Sequence, residues 1–205
     1  MTRIVVFAKA PLAGLAKTRL IPALGAEGAA ELARQMLNHT LEQALAAGAN
    51  AVELCMSPAP SDPAWHGVTL PDSVERTSQG DGDLGTRMSR AMDRALALGR
   101  GAVLLMGTDC PGLTAAHIAQ ASQKIEQNDA VLLPVCDGGY VLIGLRAPCP
   151  DLFTDMAWST PVVAFETLHR MASCGLQVWQ GPLLNDIDEP ADLAYLPSSF
   201  KHHQI

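Results

Sequence analysis

The sequence predicts an α/β domain with a mostly parallel central sheet and helices on both of its faces. Short apolar runs alternate with longer segments of helical periodicity along the chain, as crossover units around a parallel sheet do. The 205 residues are 48% hydrophobic and 17% charged, which supplies one packed core and is the opposite of a disordered composition. No stretch reads as a linker, so residues 1–205 are expected to form a single domain.

The first apolar run, Ile4-Val5-Val6-Phe7, predicts a buried strand over 4–8. It ends at Lys9, too short for a signal peptide or a membrane span. A helix is expected over 26–47, rich in Ala, Leu, Glu and Gln, with Leu32, Met36, Leu41 and Leu45 at helical spacing and Gly48 as its stop. Strands over 51–56 and 74–78 flank a segment carrying Pro58, Pro60, Pro63 and Pro71, expected to be a surface loop. A helix over 84–98 leads into a strand over 102–106. The next helix, over 114–127, opens on Thr114 as N-cap after Pro111-Gly112. Strands follow at 130–134 and 141–145. Ser159-Thr160-Pro161 predicts a capped helix over 161–173 with proline at its first position, and the last strand is expected at 177–180. The ending from Phe200 is read as a frayed polar tail, with His202 and His203 solvated rather than metal-bound.

A formal net charge of −7 argues against nucleic acid or an anionic membrane as the main partner, because either would need a basic face. The five cysteines (Cys55, Cys110, Cys136, Cys149, Cys174) show no C-x-x-C spacing, which fits reduced thiols and a cytoplasmic location better than a disulfide framework or a zinc site.

In open parallel sheets ligands bind beyond the carboxyl ends of the strands, so the residues just after each apolar run carry the functional information. After the first run, Lys9 to Leu20 form a loop with Gly14 and the cations Lys9, Lys17 and Arg19 beside Thr18. Exposed cations and free backbone N–H groups are what a di- or triphosphate needs. The loop lacks the spacing of a P-loop. After 102–106, Asp109 is placed at the sheet edge to hold Mg²⁺ or Mn²⁺ through oxygen ligands; the alternative is that it caps the next helix. Asp137-Gly138-Gly139-Tyr140 is either a close backbone approach to a ligand or a turn between antiparallel strands. In Asn185-Asp186-Ile187-Asp188-Glu189 one acid is expected to point inward and one outward, with Asp188 preferred as the metal ligand and Asp186 as the alternative. Without a cation, facing carboxylates at Asp109 and Asp188 would repel.

Gly80-Asp81-Gly82-Asp83-Leu84-Gly85 matches the glycine pattern of a dinucleotide turn, but its two acids would oppose a pyrophosphate. A loop covering a sugar or base is the better reading, with Arg87 facing either the site or solvent.

These stretches together resemble the bacterial DUF2064 family of GT-A-like glycosyltransferases, related to nucleotidyltransferase-like enzymes. The resemblance rests on Phe7-Ala8-Lys9-Ala10-Pro11, Gly14, Lys17-Thr18-Arg19-Leu20, Gly82-Asp83-Leu84-Gly85, Gly107-Thr108-Asp109-Cys110-Pro111, Asp137-Gly138-Gly139-Tyr140, Ile143-Gly144-Leu145 and Trp158-Ser159-Thr160. In the family's last motif, D-I-D-T-P-E-D-L, this chain has Glu189 and Ala191 in place of Thr and Glu. The resemblance implies a GT-A-type sheet, a nucleotide in its amino-terminal half, a divalent ion on Asp109 and the acid near Asp188, and an acceptor pocket in the carboxyl half.

The expected function is therefore a Mg²⁺- or Mn²⁺-dependent transferase that uses a nucleotide sugar or an NTP to modify a small-molecule acceptor. Lys9, Gly14, Lys17, Thr18, Arg19, Gly82, Gly85, Gly138 and Gly139 would bind the donor. Asp109 and Asp188 would hold the metal, and Asp137 with Lys17 would carry catalysis. Alternatives are nucleotidyl transfer with release of pyrophosphate, or a non-catalytic nucleotide-binding module of the same fold.

Overall fold

The structure, a computed structural model, describes residues 2–99 and 101–203. Seven strands form one sheet: β1 (Thr2–Lys9), β2 (Ala51–Ser57), β3 (Glu75–Ser78), β4 (Ala102–Met106), β5 (Ala130–Pro134), β6 (Tyr140–Leu145) and β7 (Val178–Gln180). Their spatial order is β3-β2-β1-β4-β6-β5-β7. All neighbours run parallel except at β6, which is antiparallel to both β4 and β5.

Four helices cover the sheet: α1 (Ile21–Ala46), α2 (Leu84–Ala97), α3 (Ala115–Lys124) and α4 (Val163–Ser173). Alternate residues of each strand face opposite sides, and this divides the core. Ile4 and Val6 pack with Leu37 and Leu41 of α1 and Ile118 of α3. Val5 and Val103 pack on the other face with Met88 and Met92 of α2 and Met171 of α4. Trp65, in the proline-rich segment, joins the first of these clusters, and its indole N–H donates to the Pro58 carbonyl at 2.9 Å. That segment is an exposed connection with a buried anchor.

The helix expected from residue 26 is present: Gly25 (φ 71°, ψ 169°) is non-helical and divides α1 into a short first piece from Ile21, with Pro22 in its first turn, and the long continuous helix that follows. Two expectations need correction at element ends. The helix expected from Pro161 begins at Val163 without a side-chain cap; the Thr160 hydroxyl donates instead to the Ala157 carbonyl at 2.7 Å, and Ser159 takes a left-handed backbone (φ 62°). Phe200 is not frayed. It is buried in a third small core with Leu20, Met36, Ile187 and Leu196, and its ring meets His39 edge-on at 5.2 Å. The reading of His202 and His203 falls on side chains outside the described residues.

The strand order reverses beside β1: the chain runs from β1 outward through β2 and β3, then returns to place β4 on the other side of β1. A crevice opens at such a switch point, beyond the carboxyl ends of β1 and β4. The third core lies next to it. By burying Leu20 and Ile187 together, it fixes the loop after β1 against the chain segment that follows β7.

Candidate functional site at the sheet switch point

Lys17 joins the loop after β1 to the exit of β4 and to the segment after β7. Its backbone is left-handed (φ 47°, ψ 46°), a conformation costing a residue with a Cβ on the order of 1–2 kcal/mol. The ammonium lies 2.7 Å from Asp109 Oδ1 and 2.7 Å from Asp188 Oδ1. It also donates to the Ile187 carbonyl at 2.7 Å. Sequence reasoning took Lys17 for an exposed loop cation, but its side chain is only 9% exposed. Burial opposes its charge; the Asp109 and then the Asp188 carboxylates outweigh that effect, and its pKa is raised.

Asp109 does not cap α3. That role belongs to Thr114, which forms a capping box with His117. Asp109 and Asp188 do not face each other uncompensated either, because Lys17 lies between them. The Asp109 carbonyl accepts from the Ile187 N–H at 2.8 Å, which ties the exit of β4 to the last segment.

The repulsion expected at Asp109 is found at Asp186. Oxygens of Asp137, Asp186 and Asp188 all lie within 4.8 Å of one another, with Asp137 exposed and the other two half-buried. The Asp186 carboxyl is pushed up to about 6, by burial first and then by the charges of Asp137, Asp188 and Asp192. The expectation that one of Asp186 and Asp188 turns away is corrected. Residues two apart in extended chain share a face, and it is Ile187, fully buried in the third core, that points the other way.

The departures at Glu189 and Ala191 leave this cluster alone. Glu189 is the N-cap of a 3₁₀ turn, Pro190–Tyr195. The Asp192 carboxylate accepts from the N–H groups of Glu189 (2.7 Å) and Asp188 (3.1 Å).

Asp137 sits in the connection between antiparallel β5 and β6, so the turn reading of Asp137-Gly138-Gly139 holds. Its carboxylate accepts from the Gly139 N–H at 2.7 Å. The close approach at Gly138 (φ 90°) is to the protein itself: a Cβ there would stand 2.0 Å from the Pro161 carbonyl oxygen. A parallel bridge between Val135 and Leu184 brings this connection alongside the segment leading to Asp186.

Around the crevice, Lys9, Thr18 and Arg19 are exposed, and Gly14 turns the loop with φ 78°. The side chains of Lys9 and Arg19 make no ion pair or hydrogen bond among the described residues. The segment after β3 is anchored at the exits of β1 and β2 by Gln79, which sequence reasoning missed. Its buried amide donates to the carbonyls of Ala8 and Cys55, both at 3.0 Å, and accepts from Arg87 at 2.9 Å. A polar residue directly after a strand was the available signal; its burial is seen only in the structure. Arg90 holds the carbonyls of Gln79 (2.6 Å) and Asp81 (2.8 Å), which fixes the strap around Gly82 (φ 110°). Asp83 caps α2 by accepting from the Thr86 N–H at 2.8 Å, so a carboxylate occupies the helix end where a dinucleotide's pyrophosphate would lie. Gly85 is buried; a Cβ would stand 2.1 Å from the Phe153 carbonyl oxygen.

A separate recess of about 450 Å³ is lined by Asp151, Thr154, Asp155, Arg170, Ser173 and Cys174. Arg170 donates there to the carbonyls of Asp151, Thr154 and Asp155 and to Glu166, so most donors of its one cation are already used inside the protein. No helix among the described residues is long and apolar enough to cross a membrane.

The sheet and its arrangement define the fold shared by nucleotide-diphospho-sugar transferases and nucleotidyl transferases. The chain belongs to the family described as "uncharacterized protein conserved in bacteria" (DUF2064), which it matches over residues 40–160. It is similar to a candidate nucleotide-diphospho-sugar transferase from Desulfovibrio desulfuricans G20, with 33% identity, a TM-score of 0.87, and coverage of 98% of this chain and 88% of the other. A Methanothermobacter nucleotidyl transferase matches at 17% identity and TM-score 0.63, covering 98% of each chain. Rv0371c of Mycobacterium tuberculosis H37Rv, solved in complex with manganese, matches at 16% identity and TM-score 0.56, over 95% of this chain and 97% of that one. The last two likenesses are of fold. No curated protein matches the chain.

Proposed function

We propose that this chain is a Mg²⁺- or Mn²⁺-dependent transferase that takes an activated nucleotide, either a nucleotide sugar or an NTP, and transfers part of it to a small-molecule acceptor. The observation that carries this reading is the convergence at the switch point of Lys17, Asp109, Asp137, Asp186 and Asp188, drawn from the exits of β1, β4, β5 and β7. The similarity to a candidate nucleotide-diphospho-sugar transferase supports it, as does manganese in a distant protein of the same fold.

Three carboxylates, Asp137, Asp186 and Asp188, have oxygens within 4.8 Å of one another and form a hard-oxygen donor set that fits Mg²⁺ or Mn²⁺. The preferred pair, Asp109 and Asp188, shares Asp188 with this set, and Asp109 adjoins it across the Lys17 ammonium. A divalent ion held there supplies positive charge to the donor phosphates and the departing group. Lys9, Lys17 and Arg19, with Thr18 and the loop at Gly14, engage the phosphates as charge-assisted donors. The strap at Gly82 covers the sugar or base, while buried Gly85 seats the start of α2 against Phe153, and the Gly138-Gly139 turn holds Asp137 at the rim. From that position Asp137 orients the acceptor hydroxyl and takes its proton. Catalysis on this arrangement is mainly positioning and electrostatics.

A thermal-shift panel of NTPs and nucleotide sugars, each with Mn²⁺ and with EDTA, tests the reading. A ligand that binds only the folded chain stabilises it by about 2.7 kcal/mol at 100 times its dissociation constant. The expected result is a shift for a subset of nucleotides that requires Mn²⁺; a panel without any such shift overturns it. Once an acceptor is found, release of a nucleoside diphosphate identifies glycosyl transfer and release of pyrophosphate identifies nucleotidyl transfer.

A further inference from the structure

The Lys17 ammonium has three N–H donors, and three acceptors stand at 2.7 Å: Asp109 Oδ1, Asp188 Oδ1 and the Ile187 carbonyl. It hydrogen-bonds Asp188 and the Ile187 carbonyl and ion-pairs with Asp109. Held in this way, the ammonium is engaged by the protein rather than offered to a phosphate, unlike the exposed Lys9 and Arg19 of the same loop. The two aspartates it bridges are the preferred metal ligands of the proposed function, and Asp188 also belongs to the carboxylate cluster with Asp137 and Asp186. The bridged Asp109 and Asp188 oxygens are separated by no more than twice their common 2.7 Å distance to Nζ.

An ion bound to both oxygens would sit at roughly 2.1 Å from each. It would then lie within about 4.8 Å of Nζ, the sum of that bond and the 2.7 Å ion-pair distance. Two cations at that separation in a half-buried crevice repel strongly. The acids therefore hold the ammonium or the ion well, and not both.

We propose that Lys17 is a resident counter-cation, seated between Asp109 and Asp188 in the nucleotide-free protein and displaced when metal and nucleotide load together. The inference rests on the metal-dependent reading of the site and adds an order of events to it. Metal alone binds weakly because it competes with a tethered ammonium. The phosphates of the incoming nucleotide give Lys17 new acceptors, and its flexible four-carbon stem swings the charge from the acids to the donor while the backbone stays fixed by Leu20 and the third core. The crevice is thereby kept from holding metal unless a nucleotide is present to use it.

The competing account makes Lys17 a permanent strut joining the loop after β1, the exit of β4 and the last segment. Removing its charge separates the two. Mn²⁺ binding to the nucleotide-free protein is measured by the loss of the free Mn²⁺ electron paramagnetic resonance signal, in wild type, Lys17→Met and Lys17→Gln, with folding of each checked by circular dichroism. The proposal expects a folded neutral variant to bind Mn²⁺ at least about tenfold more tightly than wild type, equivalent to about 1.4 kcal/mol. Unchanged or weaker Mn²⁺ binding in the folded variants overturns it, and so does failure of both variants to fold, which makes Lys17 a strut. The thermal-shift panel keeps the two proposals apart. A negative panel removes the transferase reading, whereas a positive panel with unchanged Mn²⁺ affinity in Lys17→Met removes only the role given to Lys17.

Discussion

Asp186→Asn should make the metal-free protein more stable at neutral pH, although it removes a residue of the candidate site. The Asp186 carboxyl is pushed up to about 6 from its ordinary 3.8, by burial and by Asp137, Asp188 and Asp192. Its folded value lies above its unfolded one, so between about pH 4 and pH 6 the folded chain still holds a proton that the unfolded chain has lost. Stability therefore falls as pH rises through that window and stays reduced above it. The full shift corresponds to about 3 kcal/mol. Asp186 is only half-buried, and screening by solvent reduces the effect to about 1–2 kcal/mol. For a chain of this length that is a melting-temperature gain of roughly 2–8 °C. The assay is thermal and urea unfolding of wild type and Asp186→Asn in EDTA from pH 4.5 to 8. Wild type should lose stability relative to the variant as pH rises, and the difference should level off above about pH 7. Parallel profiles, or a variant less stable than wild type at pH 7.5, would refute the reasoning.

The same geometry sets the outcome of three other substitutions. Asp109→Asn should lower rather than raise the metal-free melting temperature, because it breaks the pair with Lys17 instead of relieving a repulsion; differential scanning calorimetry in EDTA reads the sign. Arg19→Ala should weaken nucleotide binding by roughly 10- to 100-fold, the value of one charge-assisted contact, with an unchanged melting temperature because the side chain is exposed; titration calorimetry and a melt measure both. Gly138→Ala should cost about 1–3 kcal/mol in urea unfolding as an overpacked site, because its Cβ would meet the Pro161 carbonyl at 2.0 Å and its φ is 90°.

The fold was legible because most of its signals are local. Most buried strands are apolar runs, although β2 carries the buried Glu53 in its middle, and Thr114 and Gly48 mark helix ends by chemistry that acts within a turn. Gly25 marked the start of the long helix, though the short helical piece from Ile21 before it was not readable, because the first turn of a helix tolerates Pro22. The start of α4 was misplaced because Thr160 found the Ala157 carbonyl in place of a helix N–H. At the site, residue types and sheet edge were readable, but partners were not. Lys17 reads as an exposed cation because its acceptor at Asp188 is 171 residues away. The shared face of Asp186 and Asp188 was available from the two-residue period of extended chain, with buried Ile187 between them as the clue. Gln79 escaped notice because its acceptors are carbonyls of two other strands, which sequence does not display.

Metal and nucleotide binding at the switch point are linked if the site works as proposed. Such coupling is reciprocal, so it can be read from either ligand. The deciding measurement is the dissociation constant of the nucleotide that gives the largest thermal shift, determined with Mn²⁺ and with EDTA in wild type and in Asp188→Asn. The account predicts that wild type loses at least about tenfold in affinity when Mn²⁺ is withdrawn, equivalent to about 1.4 kcal/mol, and that Asp188→Asn binds weakly and almost equally in both conditions. Equal wild-type affinity in Mn²⁺ and EDTA would contradict it.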